Sequence, residues 1–408
     1  MTQTEAGQPE YADRCPRLTS QRDHTNFIAP SPALEEARAS GCWVPFAMKE
    51  PGVHVKQQQV TAITQYSDAR EVLSHPNVIN GQSSESVEGS RANQPGNLLY
   101  KNGDEHRRLR MVLIKHFTVR RVAALRPRVE QIVDQLLDDV ESKGSPADLL
   151  PIFTQPLPAL VFCELMGIPY ELHTEVIRLE KILIDLDASM EDNHNATAEM
   201  KALVSELVAM KKKSPGSDLT TAIVQSVGDN LSDDEAIGIG SIIITAGMGT
   251  TARSTALSIL TLMRHPDQLE VVKAKGGLSE ADADEMIRYM SPVPAAQLRT
   301  ASEDIRLGTN HANKNDLLMV SLLSANWDPE LTGGKPELDL TRPRAHHVGF
   351  GYGEHQCPGQ HLAKLEMSVA VSKFFTRFPK ARLDCDVHDL RWAEDALIYG
   401  IDALPVAW

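Results

Sequence analysis

The sequence predicts a mainly α-helical fold with small β-sheets, in one domain spanning residues 1–408. Three observations predict it. From about residue 104 to 290, apolar residues recur at helical spacing with little interruption. Strand-like runs are short and flank that block. No internal repeat or low-complexity linker divides the chain. The hydrophobic content of 42% and charged content of 24% are those of a globular chain.

Residues 1–30 read as an irregular segment, and their polar opening, MTQTEAGQPEYADRCPRLTSQRD, has no apolar core of the signal-peptide kind. VHVKQQQVTAIT, residues 53–64, leans to strand, and NGQSSESVEGSRANQPGN, residues 80–97, reads as a surface loop. HRRLRMVLIKHF and RVEQIVDQLLDDVES carry helical periodicity. LSDDEAIGIGSIIITAGMGTTARSTALSIL predicts a long helix, with Ser232 and Glu235 spaced as a capping box at its start. DIRLG and NDLLMVSLL read as short strands. The glycine-rich FGYGEHQCPGQ, residues 350–360, then opens a last helix bearing Leu362, Leu365, Val369, Val371 and Phe374.

The net charge of −14 argues against nucleic-acid binding, which needs a basic footprint. LLPIFTQPLPALVF and IGIGSIIITAG are broken by proline or glycine, short of the roughly 20 apolar residues of a membrane span. The five cysteines, Cys15, Cys42, Cys163, Cys357 and Cys385, are scattered and odd in number. That pattern fits reduced thiols in a cytoplasm.

Cys357 stands on a tight loop at a helix start, where the helix dipole and free N–H groups favour a thiolate. A nucleophilic role is poorly supported: position 363, where a phosphate-cradling loop would carry arginine, is Ala363. A zinc site drawn from His346, His347, His355 and Cys357 lacks the paired spacing such sites use. A merely buried cysteine leaves the glycines and His355 unexplained. A thiolate ligand to haem iron needs a narrow loop, N–H dipoles around the sulfur and a nearby cation, and this stretch offers all three.

Phe350-Gly351-x-Gly353-x-His355-x-Cys357-x-Gly359 resembles the haem-binding signature of the cytochrome P450 family, in its bacterial form. Glu285 and Arg288 match the family's structural E-x-x-R pair; alone, such a spacing is most often a surface ion pair. Arg299 falls where the family has an arginine to a haem propionate. His106 and Arg110, four apart on one helix face, resemble its other propionate contacts, and Arg107 and Arg108 read as a solvated face. ANWDP, residues 325–329, resembles a further recurring segment, so the likeness runs from roughly residue 55 to 400.

The resemblance implies the family fold, a triangular single domain with haem b between a distal and a proximal helix, and Cys357 as axial thiolate. It implies oxidation of an unreactive bond using O2 and two electrons. With no flavin, iron–sulfur or nicotinamide module in the sequence, those electrons are expected from a separate ferredoxin or similar electron-transfer protein with its reductase.

Ala246-Gly247-x-x-Thr250-Thr251 resembles the distal motif A-G-x-D/E-T-T, in which small residues admit O2 and the first threonine helps deliver protons. Mid-helix threonines otherwise bond back to the preceding turn. The family's acid is absent, because position 249 is Gly249, so water or substrate groups are expected to stand in for it. Glu337 occupies the place of the arginine that completes the Glu285–Arg288 cluster in many relatives, with Arg342 as the candidate substitute.

Substrate contacts are implied at about residues 80–98, 168–195, 238–250, 293–298 and 395–400. Hydroxylation of a small specialised-metabolite intermediate is the leading expectation. The alternatives are oxidative coupling of an aromatic substrate, such as an indole or cyclodipeptide, and a non-catalytic haem protein or gas sensor.

Overall fold

The structure is a computed structural model that describes residues 18–48, 58–81, 94–185, 188–228, 230–393 and 396–408. The predicted loop at 80–97 and the irregular segment at 1–30 therefore lie largely outside the described residues.

Helices carry most of the described chain. Before the long helix come α1 (Pro32–Ala39), α2 (Tyr66–Ser74), α3 (Gly103–Ile114), α4 (Val119–Lys143), α5 (Pro156–Met166), α6 (His173–Ile184), α7 (Met190–Lys213) and α8 (Leu219–Val224). The long helix is α9 (Asp233–Arg264); α10 (Pro266–Ala274), α11 (Glu280–Met290), α12 (Leu322–Asn326), α13 (Pro329–Thr332) and α14 (Gln360–Arg377) follow.

The strands are β1 (Val44–Met48), β2 (Gln58–Ile63), β3 (Val78–Asn80), β4 (Ala147–Asp148), β5 (Arg299–Ala301), β6 (Ile305–Leu307), β7 (Asn310–Ala312), β8 (Leu317–Val320), β9 (Arg382–Leu383) and β10 (Pro405–Ala407). The largest sheet has the order β1-β2-β8-β5-β3, with β2 and β8 parallel and the other pairs antiparallel.

α9 spans 32 residues, about 48 Å at the helical rise. Its start is fixed by the expected capping box: Ser232 accepts from the Glu235 N–H at 3.1 Å, and Glu235 accepts from the Ser232 N–H at 2.9 Å. From Ala256 to Leu262 every residue is buried, so the helix has no solvent face there, as a core helix should not. Two of its hydroxyls turn inward on its own backbone there, Thr255 to the Thr251 carbonyl and Ser258 to that of Ser254, which satisfies these donors inside the core. By length and composition α9 could cross a membrane, yet half of its most apolar stretch is buried within the fold.

α5, α6, α7 and α14 all pack against α9, so α9 and α14 lie beside each other. α3 is tied to the start of α9, since Arg108 pairs with Glu235 and donates to the Asn230 carbonyl at 2.5 Å. This corrects the expectation for Arg108: it fastens two helices, and Arg107, paired with Asp104 in its own turn, is the exposed one.

Candidate functional site

Two glycines shape the loop before α14. Gly351 and Gly353 have φ of 71° and 75°, values that side-chain-bearing residues rarely adopt. A Cβ on Gly353 would also stand 2.6 Å from the Leu73 carbonyl oxygen of α2. The bend closes when the Cys357 N–H donates to the Phe350 carbonyl at 2.9 Å, and Gly359 caps α14. Burial pushes the Cys357 thiol up; the N–H groups of Gly359 and Gln360 and the Arg110 guanidinium oppose that push by favouring the anion.

Two other elements bring basic groups to this loop, which adds one of its own. α3 supplies His106, fully buried, and Arg110, which donates to the Gln356 carbonyl at 2.6 Å. β5, held between β3 and β8, supplies Arg299, 4% exposed. The loop supplies His355, whose ring centroid lies 4.0 Å from that of His106. Burial, then Arg110, lowers His106 to about 4. Burial, then His106, Arg299 and Arg110, lowers His355 to about 3.

Both ring nitrogens of His106, Nε2 of His355 and Nε of Arg299 are buried without a hydrogen-bond partner. Glu354, which the sequence reading passed over, comes no nearer than 4.0 Å to His106 and 3.6 Å to His355. Orphaned buried donors are costly and uncommon, so this cluster is built for anionic oxygens. His106, Glu354 and His355 also converge within 4.8 Å as a possible metal-binding set, but Cys357 is not among them. The drawn zinc set does not assemble: the ring of His347 faces Asp284 instead, at 3.4 Å.

On α9, both threonine hydroxyls take the back-bonded arrangement, Thr250 to the Ala246 carbonyl at 2.9 Å and Thr251 to that of Gly247 at 2.8 Å. Thr250 is half-buried, Thr251 buried and Ala246 exposed. Gly247 is small for a reason of packing: a Cβ there would stand 2.2 Å from the Phe162 ring of α5. Gly249 is small for another. A Cβ there would lie 2.3 Å from Oε1 of Glu180, which accepts the Gly249 N–H at 3.1 Å. A carboxylate carried by α6 therefore stands against position 249. The signal was in the sequence: in HTEVIRLEKILI, Glu180 shares the buried face of Val176, Leu179 and Leu183.

Comparison with known proteins bears directly on this arrangement. The sequence profile described as Cytochrome P450 matches residues 49–196 and 280–383. Cytochrome P450 107B1 of Saccharopolyspora erythraea is 35% identical over 358 residues, covering 84% of this chain and 88% of its own. The chain belongs to the cytochrome P450 family. Among solved structures of the family, the mycinamicin VIII C21 methyl hydroxylase of Micromonospora griseorubida is similar, with a TM-score of 0.84, 31% identity and coverage of 93% and 97% of the two chains. So is the cytochrome P450 hydroxylase of the leinamycin biosynthetic pathway of Streptomyces atroolivaceus, with a TM-score of 0.84, 29% identity and the same coverage. Both support the P450 fold expected from the sequence.

Cytochromes P450 hold haem through a cysteine thiolate, and this chain is accordingly a haem-dependent oxidoreductase of the monooxygenase type. The residues on hand fit that cofactor: a sulfur fed by two N–H groups on a narrow loop, and four basic side chains, three of them (His106, Arg299 and His355) with buried nitrogens that lack a partner and suit carboxylates.

Proposed function

We propose that this cytochrome P450 hydroxylates an intermediate of bacterial specialised metabolism, with Cys357 as the axial thiolate of haem b. The observation that carries the assignment is the convergence of the Cys357 loop with the orphaned donors of His106, Arg299 and His355. In this reading Phe350, Gly351 and Gly359 shape the thiolate loop, and His106, Arg110, Arg299 and His355 bind the two propionates. Ala246 and Gly247 line the distal face, where Thr250 presents its hydroxyl and Thr251 braces the helix from the buried side. The haem, when bound, supplies activation of O2; the protein holds the sulfur, screens the propionates and admits protons.

Electrons are supplied by a separate ferredoxin with its reductase, in the cytoplasm, as is general for bacterial members of the family. Relatives support the reaction class: 6-deoxyerythronolide B hydroxylase is 35% identical over 305 residues, and pentalenic acid synthase 34% over 313. Family members that couple aromatic substrates can lack the acid at position 249, and the Glu180 carboxylate beside Gly249 favours hydroxylation over that alternative.

The test is spectroscopic and then chemical. The reduced, carbon-monoxide-bound protein is expected to show the long-wavelength band of thiolate ligation, lost in Cys357→His. An optical titration with a metabolite library identifies the substrate through a Soret shift. Label from O2 then appears in the product of a hydroxylation and is absent from that of a coupling. An unchanged spectrum in Cys357→His would overturn the ligand assignment.

A further inference from the structure

We propose that Glu180 is the proton-relaying carboxylate of this enzyme: reaching across from α6, it stands where a side chain at position 249 would stand and passes protons from the cavity behind α9 to the turn that holds Thr250. The proposal rests on the haem-thiolate reading above and names a residue no motif assigns.

Geometry carries it. The carboxylate is 4% exposed and accepts the N–H of Gly249, the residue directly before Thr250. The space it fills is the space residue 249 gives up, since a Cβ there would meet Oε1 at 2.3 Å and Ile184 at 2.9 Å. Glycine at 249 and glutamate at 180 are two halves of one arrangement, in which the acid has moved from one helix to its neighbour. Glu180 also lines a cavity of about 640 Å³ together with Lys181, Asp185, Arg253, Arg391 and Asp402. These charged walls suit water, giving the carboxylate a proton source.

The electrostatics suit a relay. Burial raises Glu180 to about 7, while the Gly249 N–H, Arg253 on α9 and Lys181 on its own helix hold it from rising further. Among the described residues no lysine or arginine closes an ion pair with it, so it exchanges a proton near neutrality without breaking one. The step moves one proton and no electrons. The Glu180 carboxylic acid releases it through water toward the Thr250 turn, and the carboxylate left behind takes another from the cavity. Glu180 acts through Thr250, so it is a positioning and relay residue.

Glu180→Gln separates relay from packing, because the amide still accepts the Gly249 N–H but carries no transferable proton. With full-length haem-loaded protein, infrared spectroscopy is expected to show a protonated-carboxyl band that is lost as pH rises through about 7 and is absent from Glu180→Gln. Oxygen consumption driven by ferredoxin, its reductase and NADPH is expected to fall above that pH in the wild type. In Glu180→Gln it should be about tenfold or more slower, without that limb and with an altered solvent isotope effect. Gly249→Asp alone should be disruptive, whereas Gly249→Asp with Glu180→Ala should regain oxygen consumption by returning an acid to α9.

A Glu180→Gln protein that keeps the infrared band, or the wild-type rate and pH limb, overturns the proposal. The carbon-monoxide spectrum of the same samples checks the ligand separately. Loss of the thiolate band in the wild type would sink the haem-thiolate reading, while the infrared titration of Glu180 would still be readable.

Discussion

Arg288 donates to both oxygens of Glu285, at 2.7 and 2.8 Å, one helical turn apart on α11 and wholly inside the protein. Its remaining N–H groups reach the carbonyls of Asn326, Pro336 and Glu337 at 2.9, 3.0 and 3.1 Å. Glu285 in turn accepts the Asp339 N–H at 3.1 Å. The cluster thereby fixes the segment before the thiolate loop to α11. Arg342 approaches Glu285 at 3.4 Å, an ion-pair distance, and donates to the Thr332 and Lys335 carbonyls at 2.9 and 2.6 Å. Arg342 is thus the third member, and Glu337 contributes its backbone carbonyl to both arginines.

Removing either half of the buried pair strands the other, so Arg288→Ala and Glu285→Gln should each cost on the order of 3–5 kcal/mol. Arg342→Ala, with a partner already satisfied, should cost about 1–2 kcal/mol. Urea midpoints at constant slope measure both. Equal losses at Arg288 and Arg342 would show that the network is not ordered in this way.

The helical fold class, the thiolate loop and the capping box were legible because each depends on residues close in sequence, whereas the Glu285–Arg288 pair stood out only through the family resemblance. Glycines at fixed steps make a loop, and a serine with a glutamate three residues on makes a cap. What escaped depends on helices meeting. Arg108 resembled its solvated neighbour Arg107 until α9 was laid beside α3. Position 249 looked like a lost acid because a one-residue reading cannot see a side chain arriving from 69 residues away. Gly247 read only as room for a ligand, and its absent Cβ also makes room for Phe162, a packing need no motif shows.

Acid should weaken the haem-free protein through two histidines. The folded-state values of His106 and His355 lie at about 4 and 3, below the ordinary 6.5, so the folded chain binds fewer protons than the unfolded chain between those limits. Stability is then fully present above pH 6.5 and is lost as pH falls toward 4 and 3. The combined loss is on the order of a few kcal/mol. Propionates favour the charged histidines, so haem should blunt the loss. Urea midpoints against pH, with and without haem, check this; identical slopes would place the propionates elsewhere.

Arg299 is nearly buried, and burial lowers it to about 10 with Glu354 opposing. A charge-assisted contact from such a group to a carboxylate is worth on the order of 1.5–3 kcal/mol. Arg299→Ala should therefore release haem to apomyoglobin about ten- to a hundredfold faster. Arg299→Lys should recover only part of this, because an ammonium does not reproduce the guanidinium's fork. Wild-type release from both variants would remove Arg299 from the propionate set.

The proline beside the sulfur sets the last expectation. Cys357 is followed by Pro358, which has no N–H, and the donors to the sulfur are the N–H groups of Gly359 and Gln360. A residue with a backbone N–H at position 358 would present one more donor within the same turn. Each such bond draws charge from the thiolate, so its absence leaves the sulfur a stronger donor to iron and stabilises the oxidised state. Pro358→Leu restores the N–H at modest steric change. If a hydrogen bond of about 1 kcal/mol is regained, the reduction potential should rise by tens of millivolts. The competing reading is that Pro358 only stiffens the loop, in which case the leucine variant should lose thermal stability and hold its potential. Spectroelectrochemical titration of a Pro358→Leu protein that retains its thiolate band distinguishes the two: a rise assigns the proline to tuning the iron, and an unmoved potential leaves it a structural part of the turn.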